Sequence, residues 1–291
     1  MRSTAALIGL FLVAGIHKSR AAEFRLVADV SYLEPSRTEK LDLYLPSRRA
    51  SDPPTPAIIW IHGNSHDKGD PRERNICGTL AGAGYVCASI NHGPWTNDLK
   101  ANWQNIADAK NAVRYLRVHA AEHHVDPARI AIFGGSAGAT LALMVGFTSG
   151  KAPFEPTEPY PGTSSEVNAI GDFYGTFDFL VVPEIKKRLE AVPASMLAEL
   201  RLLQPVTHIS SKSPPIFIVH GKDDPLLDYH QAVELDRIST QYKVPHELIL
   251  MENIGHGFDL SSWKGRPLPC DLRSAVLAFL GKYLGPPAVQ P

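Results

Sequence analysis

The sequence predicts an α/β protein with a mostly parallel central sheet and helices on both faces. Apolar runs of strand length alternate along the chain with segments that have helical periodicity, which is the pattern of a parallel sheet covered on both sides. The 291 residues are 44% hydrophobic and 20% charged, an ordinary globular composition. Apart from one short proline-rich stretch, the chain has no internal repeat and no low-complexity tract. One domain with a small excursion is the simplest organisation.

The N-terminus has the features of a secretory signal peptide. Arg2 supplies a positive charge, residues 4–16 form an apolar core too short to span a bilayer comfortably, and small residues follow at 19–22. We therefore expect residues 1–22 to be a signal peptide and residues 23–291 to form the folded domain. This predicts a secreted or periplasmic protein with no stable membrane anchor after cleavage. An N-terminal membrane anchor or a frayed helix is the alternative.

The strands and helices follow in order along the domain. Two alternating segments, "FRLVADVSYL" and "EKLDLYLP", predict an antiparallel pair at a sheet edge. Buried strands are predicted by the runs "AIIWIHG", "YVCASI", "RIAIFG", "VNAIGDFYG", "PPIFIVHG" and "HELILM". Helices are predicted near residues 72–81, 102–122, 139–147, 229–242 and 271–284. Four prolines make 151–166 a loop, and 177–203 is a small cap-like insertion with helical runs.

Charge and cysteine content exclude several classes of protein. The net charge of −1 gives no basic surface for nucleic acid or for an acidic membrane, so no nucleic-acid partner is expected. The three cysteines are too few for a disulfide-dense scaffold. Cys77 and Cys87 can pair only if their helix and strand pack together, and buried free thiols are favoured. The oligomeric state leaves no signal in the sequence.

Reactive side chains follow three separate predicted strands. Ser136 stands in the turn Gly134–Gly138 after "RIAIF", two aspartates follow "PPIFIV" in "HGKDDPLL", and His256 follows "HELILM" in "ENIGHGF". The carboxyl ends of parallel strands meet at one edge of a sheet, where ligands bind. A serine nucleophile needs a base for its proton, and the base needs a carboxylate to fix its tautomer. The G-x-S-x-G turn and the order serine, acid, histidine predict such a set.

On these motifs the chain resembles the serine esterases and lipases of the α/β-hydrolase fold. More narrowly, it is similar to the group related to feruloyl and acetyl-xylan esterases and to the hormone-sensitive-lipase-like carboxylesterases. The resemblance extends over roughly residues 24–284 and rests on "IHGNSHDKGD", "RIAIFGGSAG", "YPGTSSEVNAIGDFYGTFDF", "SPPIFIVHGKDDPLL" and "IGHGF". Relatives of this kind typically carry H-G-G-G-W, H-G-x-x-D-x-x-V and G-H-G-F at the first, fourth and fifth of these segments.

The resemblance implies a role for each of these residues. The H-G-x-x-D spacing falls on Asp224 as the acid, with Asp223 and Asp228 as weaker alternatives and Asp223 read as a turn residue. Ser136 is then the nucleophile and His256 the base. An oxyanion hole is expected from the N–H groups of Ala137 and of Asn64 or Ser65. Here the chain departs from its relatives, because "HGNSH" replaces the glycines and puts His66 in place of tryptophan. His62 is expected to hold this loop by hydrogen bonding.

The sequence thus predicts a serine carboxylic ester hydrolase that needs no metal and no organic cofactor. Short-chain esters or carbohydrate-linked acetyl and feruloyl esters are the expected substrates, and Phe177, Phe179 and Leu180 either line the acyl pocket or pack in the core. A peptidase or amidase of the same fold and a non-catalytic ligand-binding relative are the alternatives. A metal-dependent hydrolase would use His66, Asp67 and Asp70, which no H-x-x-x-H or C-x-x-C spacing supports.

Overall fold

An eight-stranded sheet organises the chain, with the strand order β1-β2-β4-β3-β5-β6-β7-β8. The computed structural model describes residues 24–49, 51–64, 66–96, 98–179, 187 and 193–287. The β1–β2 and β2–β4 pairs are antiparallel, and the remaining neighbours from β4 to β8 are parallel. The strands are β1 Phe24–Val30, β2 Leu41–Pro46, β3 Thr55–Ile61, β4 Val86–Ile90, β5 Val125–Gly135, β6 Ala169–Phe173, β7 Ile216–Gly221 and β8 His246–Met251. The predicted mostly parallel sheet with an antiparallel edge is confirmed.

Helices cover both faces of this sheet. They are α1 Pro71–Gly82, α2 Leu99–Val118, α3 Ala120–His123, α4 Ala137–Thr148, α5 Ala194–Leu202, α6 His230–Tyr242 and α7 Leu272–Leu284. One apolar core joins Ile59 of β3 to α2, α4 and α6, and a second joins Ile58 on the opposite face to α1 and α7. Successive side chains of a strand point to opposite faces of the sheet, so neighbouring residues of β3 enter different cores. Because both faces are buried, the sequence of β3 is a continuous apolar run.

Two local features differ from the sequence-based expectation. The helix expected over 102–122 begins earlier, where the Asp98 carboxylate accepts the N–H groups of Lys100 and Ala101. It also breaks at His119, where the backbone leaves helical geometry between α2 and α3. After β8 the chain forms a small antiparallel pair, β9 Ser262–Trp263 and β10 Arg266–Pro267, that the apolar pattern does not signal because it is so short. Residues 151–166 contain no helix or strand, as their prolines predict.

The topology sets where functional side chains meet. Strands β3, β5, β6, β7 and β8 run parallel, so the loops that follow them leave from the same edge of the sheet. Within the described ranges, no helix has both the length and the apolar character needed to cross a membrane. The expected signal peptide, and residues 180–186 and 188–192 of the expected insertion, lie outside the described residues.

Candidate active site

The turn between β5 and α4 holds Ser136 in an unusual backbone conformation. Its φ is 58° and its ψ is −122°, a region that non-glycine residues rarely adopt. The turn needs small neighbours, since a Cβ on Gly134 would lie 2.3 Å from the Gly138 carbonyl oxygen, and one on Gly138 would lie 2.2 Å from the Ile61 oxygen. The Ser136 N–H donates to the Phe173 carbonyl at 2.9 Å and ties the turn to β6. The serine is thereby presented, half-buried, at the N-terminus of α4.

His256 and Asp224 form a short polar contact at this edge of the sheet. His256 Nδ1 lies 2.6 Å from Asp224 Oδ2, and the two side chains are 15% and 1% exposed. Asp223 and Asp228 do not make this contact: Asp223 is exposed, and the Asp228 carboxylate accepts the N–H of His230. Of the three candidate acids, the structure brings Asp224 to His256.

Four donors surround the Asp224 carboxylate. Its Oδ1 accepts the N–H groups of Leu226 at 2.8 Å and Leu227 at 3.0 Å, while Oδ2 faces His256 and also His220 Nε2 at 3.1 Å. Burial opposes ionisation of this group, but the hydrogen bonds from His220, from His256 and from the two backbone N–H groups outweigh it. They hold the pKa of Asp224 well below its ordinary value. The carboxylate is therefore ionised at neutral pH and fixes a proton on Nδ1 of His256.

His220 is a part of this site that the sequence reading did not single out. It is buried, and its Nε2 faces two oxygens, Asp224 Oδ2 and the Leu227 carbonyl at 3.0 Å, so this nitrogen carries a proton. The signal was present in the H-G-x-x-D pattern, whose histidine is His220. His220 supports the acid by donating to Asp224 Oδ2, the same oxygen that faces His256 Nδ1.

The loop that carries His256 is held by two aromatic residues. The Tyr174 ring packs edge-on against the His256 imidazole with centroids 4.7 Å apart. The indole N–H of Trp263 donates to the His256 carbonyl at 2.8 Å. Among the described residues, neither Ser136 Oγ nor His256 Nε2 has a hydrogen-bond partner. Both groups are half-buried rather than enclosed.

The loop after β3 lies against the Ser136 turn. A Cβ on Gly63 would be 3.2 Å from Ser136 Cβ, and the His66 N–H closes a turn onto the Gly63 carbonyl at 3.2 Å. Asn64 is the first central residue of this turn, and Ser65, the second, lies outside the described residues. On the other side of Ser136, Ala137 opens α4, where backbone N–H groups have no acceptor within the helix. Loop and helix terminus thus flank the serine.

The Asn64 side chain clamps this loop to a neighbouring one. Its Nδ2 donates to the Trp95 carbonyl at 2.8 Å, and its Oδ1 accepts the Trp95 N–H at 2.7 Å. Glycine at this position has no side chain to make these bonds, so the departure from the glycines of related proteins has a structural consequence. It places Trp95 beside the site, with its ring 6.0 Å from that of Phe179. Trp95 was not predicted, since its signal is only a lone aromatic in a loop.

His62 contacts the same loop through hydrogen bonds, as expected. Its Nδ1 lies 2.8 Å from the Gly63 carbonyl, and its own carbonyl is 2.9 Å from His92 Nε2. The two rings stack with centroids 4.4 Å apart. Burial lowers the pKa of His62 and brings the pKa of His92 down to about 4, so both imidazoles are neutral at pH 7.

The remaining candidates take structural roles. Phe177 is fully buried in a core, whereas Phe179 is half-buried beside Trp95; Leu180 lies outside the described residues. The Asp70 carboxylate accepts from His66 Nδ1 at 2.9 Å and from the Asp67 N–H at 3.1 Å, and so shapes their loop. Cys77 and Cys87 are buried free thiols in contact through the packing of α1 on β4.

Known protein families match this chain over most of its length. The family model BD-FAE matches residues 41–238. A Mycobacterium tuberculosis protein named "Probable carboxylic ester hydrolase LipM" is 30% identical over 251 residues, which are 80% of this chain and 56% of that protein. "Esterase LipC" of the same organism is 26% identical over 231 residues, 71% of this chain and 54% of the relative. The chain therefore spans about half the length of these two relatives.

Solved structures with the same architecture match nearly end to end. "Truncated form of carbohydrate esterase from gut microbiota" superposes with a TM-score of 0.74 at 25% identity, covering 90% of this chain and 97% of the other. A propionate-bound esterase from the planctomycete Thermogutta terrifontis gives a TM-score of 0.69 at 26% identity, covering 91% and 96%. Fold, motifs and family model agree, and the chain belongs to the BD-FAE family with the α/β-hydrolase fold of these esterases.

Proposed function

We propose that this protein is a serine carboxylic ester hydrolase. The observation that carries the proposal is the 2.6 Å contact between His256 Nδ1 and the buried Asp224 carboxylate, at the same edge of the sheet as the turn that holds Ser136 at positive φ. An imidazole fixed in this tautomer has an unprotonated Nε2, which is the form that accepts a proton from a hydroxyl. The named relatives are esterases or ester hydrolases, which favours ester carbonyls as the target.

The proposed mechanism is a two-step acyl transfer. Ser136 Oγ attacks the ester carbonyl carbon while His256 Nε2 takes the hydroxyl proton, and Asp224 stabilises the imidazolium that forms. The carbonyl electron pair moves onto oxygen, where the N–H groups of Ala137 and of Asn64 or Ser65 stabilise the oxyanion. Collapse of this intermediate expels the alcohol, which takes the proton from His256. Water then attacks the acyl-serine by the same route and releases the acid.

Short-chain or carbohydrate-linked esters, including acetyl and feruloyl esters, are the proposed substrates. One structural neighbour is named a carbohydrate esterase and another has propionate bound, a three-carbon acid. Trp95 and Phe179 provide flat apolar surface beside the proposed oxyanion loop, which suits a sugar ring or an aromatic acyl group. We further propose, from the N-terminal sequence alone, that the enzyme acts outside the cytoplasm, secreted or periplasmic.

Labelling with a fluorophosphonate probe tests the nucleophile. Such probes form a covalent bond with an activated serine, so the wild-type protein should be labelled at one site and Ser136→Ala should not be labelled. Ser261→Ala is the matched control, because Ser261 is an exposed serine near the same edge of the sheet. Labelling that persists in Ser136→Ala refutes the assignment, and a wild-type protein that is never labelled favours a non-catalytic ligand-binding protein.

A substrate panel tests the reaction class. We expect turnover of p-nitrophenyl acetate and butyrate, weak turnover of long-chain esters, and release of acetate from acetylated xylan or of ferulate from methyl ferulate. Turnover of peptide or anilide substrates with no ester turnover would instead identify the peptidase or amidase alternative. All activities should disappear together in Ser136→Ala.

A further inference from the structure

A second cluster of reactive side chains lies at the opposite end of the sheet. One ligand-type atom from each of His119, Glu122 and His123 lies within 4.8 Å of the other two. The cluster precedes β5, whose 11 residues run from Val125 to the Ser136 turn. Val125 pairs with Thr55 and Gly134 pairs with Ile61, six residues further along β3, so at about 3.3 Å per residue β5 separates the cluster from the Ser136 turn by about 20 Å. It therefore has no part in the proposed acyl transfer.

A single helical turn brings these side chains together. The His123 N–H donates to the His119 carbonyl at 3.1 Å, so the two imidazoles stand at positions i and i+4 of one face. Glu122 joins them: one of its oxygens is 2.9 Å from His119 Nδ1, and the other is 4.0 Å from His123 Nε2. The sequence is H-x-x-E-H, which includes the H-x-x-x-H spacing of helical metal sites.

The exposure and charge of the surroundings decide whether a metal ion can enter the cluster. His119 and Glu122 are 37% and 64% exposed, so an ion can reach them from solvent. A cavity of about 250 Å³ adjoins the cluster and is lined in part by Arg25, Glu122 and His123. Arg48 also lines this cavity, so two guanidinium charges oppose a cation there, and the Glu122 carboxylate offsets one of them.

We infer that His119, Glu122 and His123 form a binding site for a borderline divalent transition-metal ion such as Zn²⁺. Two imidazoles and one carboxylate are a ligand set that zinc accepts, with a further position open to water. Tetrahedral coordination would require the ligand atoms to approach to about 3.3 Å of one another, a small movement of the exposed His119 and Glu122 side chains toward the buried His123. The Tyr115 hydroxyl, 2.9 Å from His123 Nε2, would have to give up this contact. The ion would tie the end of α2 to α3.

Metal titration of the full chain, carrying no polyhistidine tag, tests the site. Zn²⁺ is measured by competition with a chromogenic chelator, and Co²⁺ by its visible absorption, which is intense only when coordination is four- or five-fold. We expect one equivalent bound, and at least tenfold weaker binding in His119→Gln and Glu122→Gln. Arg25→Gln should bind more tightly, because it removes a positive charge from the cavity. His230→Gln is the matched control, an exposed histidine beside a single carboxylate.

The outcomes separate clearly. Loss of the equivalent in His119→Gln and Glu122→Gln, with His230→Gln unchanged, supports the site. No zinc binding to the wild-type chain overturns it, as does binding that both variants retain. His119 and Glu122 are exposed, so these variants should fold, and unchanged p-nitrophenyl acetate hydrolysis checks that they do. If the chain hydrolyses no ester at all, circular dichroism supplies that check and the metal result stands by itself.

Discussion

Replacing Asp224 by asparagine changes one atom of the proposed site and has a predictable geometry. The Oδ1 position accepts two backbone N–H groups, from Leu226 at 2.8 Å and Leu227 at 3.0 Å. The asparagine carbonyl must therefore stay at that position, and the amide NH₂ must take the place of Oδ2, opposite His256 Nδ1. An NH₂ group can only donate, so the two nitrogens that face it, His256 Nδ1 and His220 Nε2, must both be unprotonated, and His256 must carry its proton on Nε2. In that tautomer the imidazole has no lone pair for the serine proton.

The expected effect on catalysis is large. The wrong tautomer of a histidine base lowers kcat by about 10⁴-fold, or about 5.5 kcal/mol in activation free energy. Solvent offers little rescue, because the Asp224 side chain is 1% exposed. KM should change little, since the carboxylate is buried behind the imidazole and does not face the substrate.

The assay is p-nitrophenyl acetate hydrolysis, with Asp223→Asn as the matched control. Asp223 is the neighbouring aspartate, exposed and without contact to His256, so its variant should retain wild-type kcat within about twofold, as surface changes usually do. Circular dichroism and urea unfolding establish that both variants fold. A kcat of Asp224→Asn within tenfold of wild type would refute the reasoning, as would a larger loss in Asp223→Asn.

Two further predictions concern the loop and the core. Asn64→Ala removes two hydrogen bonds to the Trp95 backbone, each worth about 1 kcal/mol, and should lower kcat/KM for p-nitrophenyl acetate roughly tenfold. The control variant Asn75→Ala, at an exposed site, should keep the wild-type kcat/KM. Equal kcat/KM values for the two variants would contradict a role of the Asn64–Trp95 hydrogen bonds in catalysis. Burial raises the pKa of the Asp172 carboxyl from 3.8 to about 6, so the folded protein binds the carboxyl proton more tightly than the unfolded chain does. The wild type therefore loses about 3 kcal/mol of stability as the pH rises from below 3.8 to above 6. The stability advantage of Asp172→Asn, measured by urea unfolding, should grow by about 2.4 kcal/mol between pH 4 and pH 7. An advantage that does not vary with pH would argue against this titration.

Local patterns in the sequence were sufficient for the architecture. The alternation of apolar strands and helices predicted the parallel sheet, because side-chain periodicity and burial on both faces leave a direct record in the residues. The glycines around Ser136 predicted a tight turn for a similar reason: the steric clash that excludes a Cβ depends on nearby backbone. The H-G-x-x-D spacing selected Asp224 over Asp223 and Asp228, and the structure brings that aspartate to His256.

Other features depend on contacts between residues far apart in the chain. The support of Asp224 by His220 and the clamp from Asn64 to Trp95 both arise where separate loops meet. Phe177 lies in the core, whereas Phe179 lies near Trp95. The sequence does not separate these two positions, because both residues are phenylalanine and equally hydrophobic. The H-x-x-E-H pattern at residues 119–123 is visible in the sequence. The single helix expected over 102–122 does not predict that the helix breaks at His119 and that these residues form a separate turn.

The sequence by itself determined the order of the strands and helices along the chain and the types of side chain that come after each strand, because these depend on local periodicity and turn sterics. The tertiary structure alone decided which of those side chains meet. Ser136, Asp224 and His256 lie after three different strands, and only the parallel order of β5, β6, β7 and β8 brings their loops to one edge. The same order leaves His119, Glu122 and His123 at the other end of β5, because the two ends of β5 pair with opposite ends of β3.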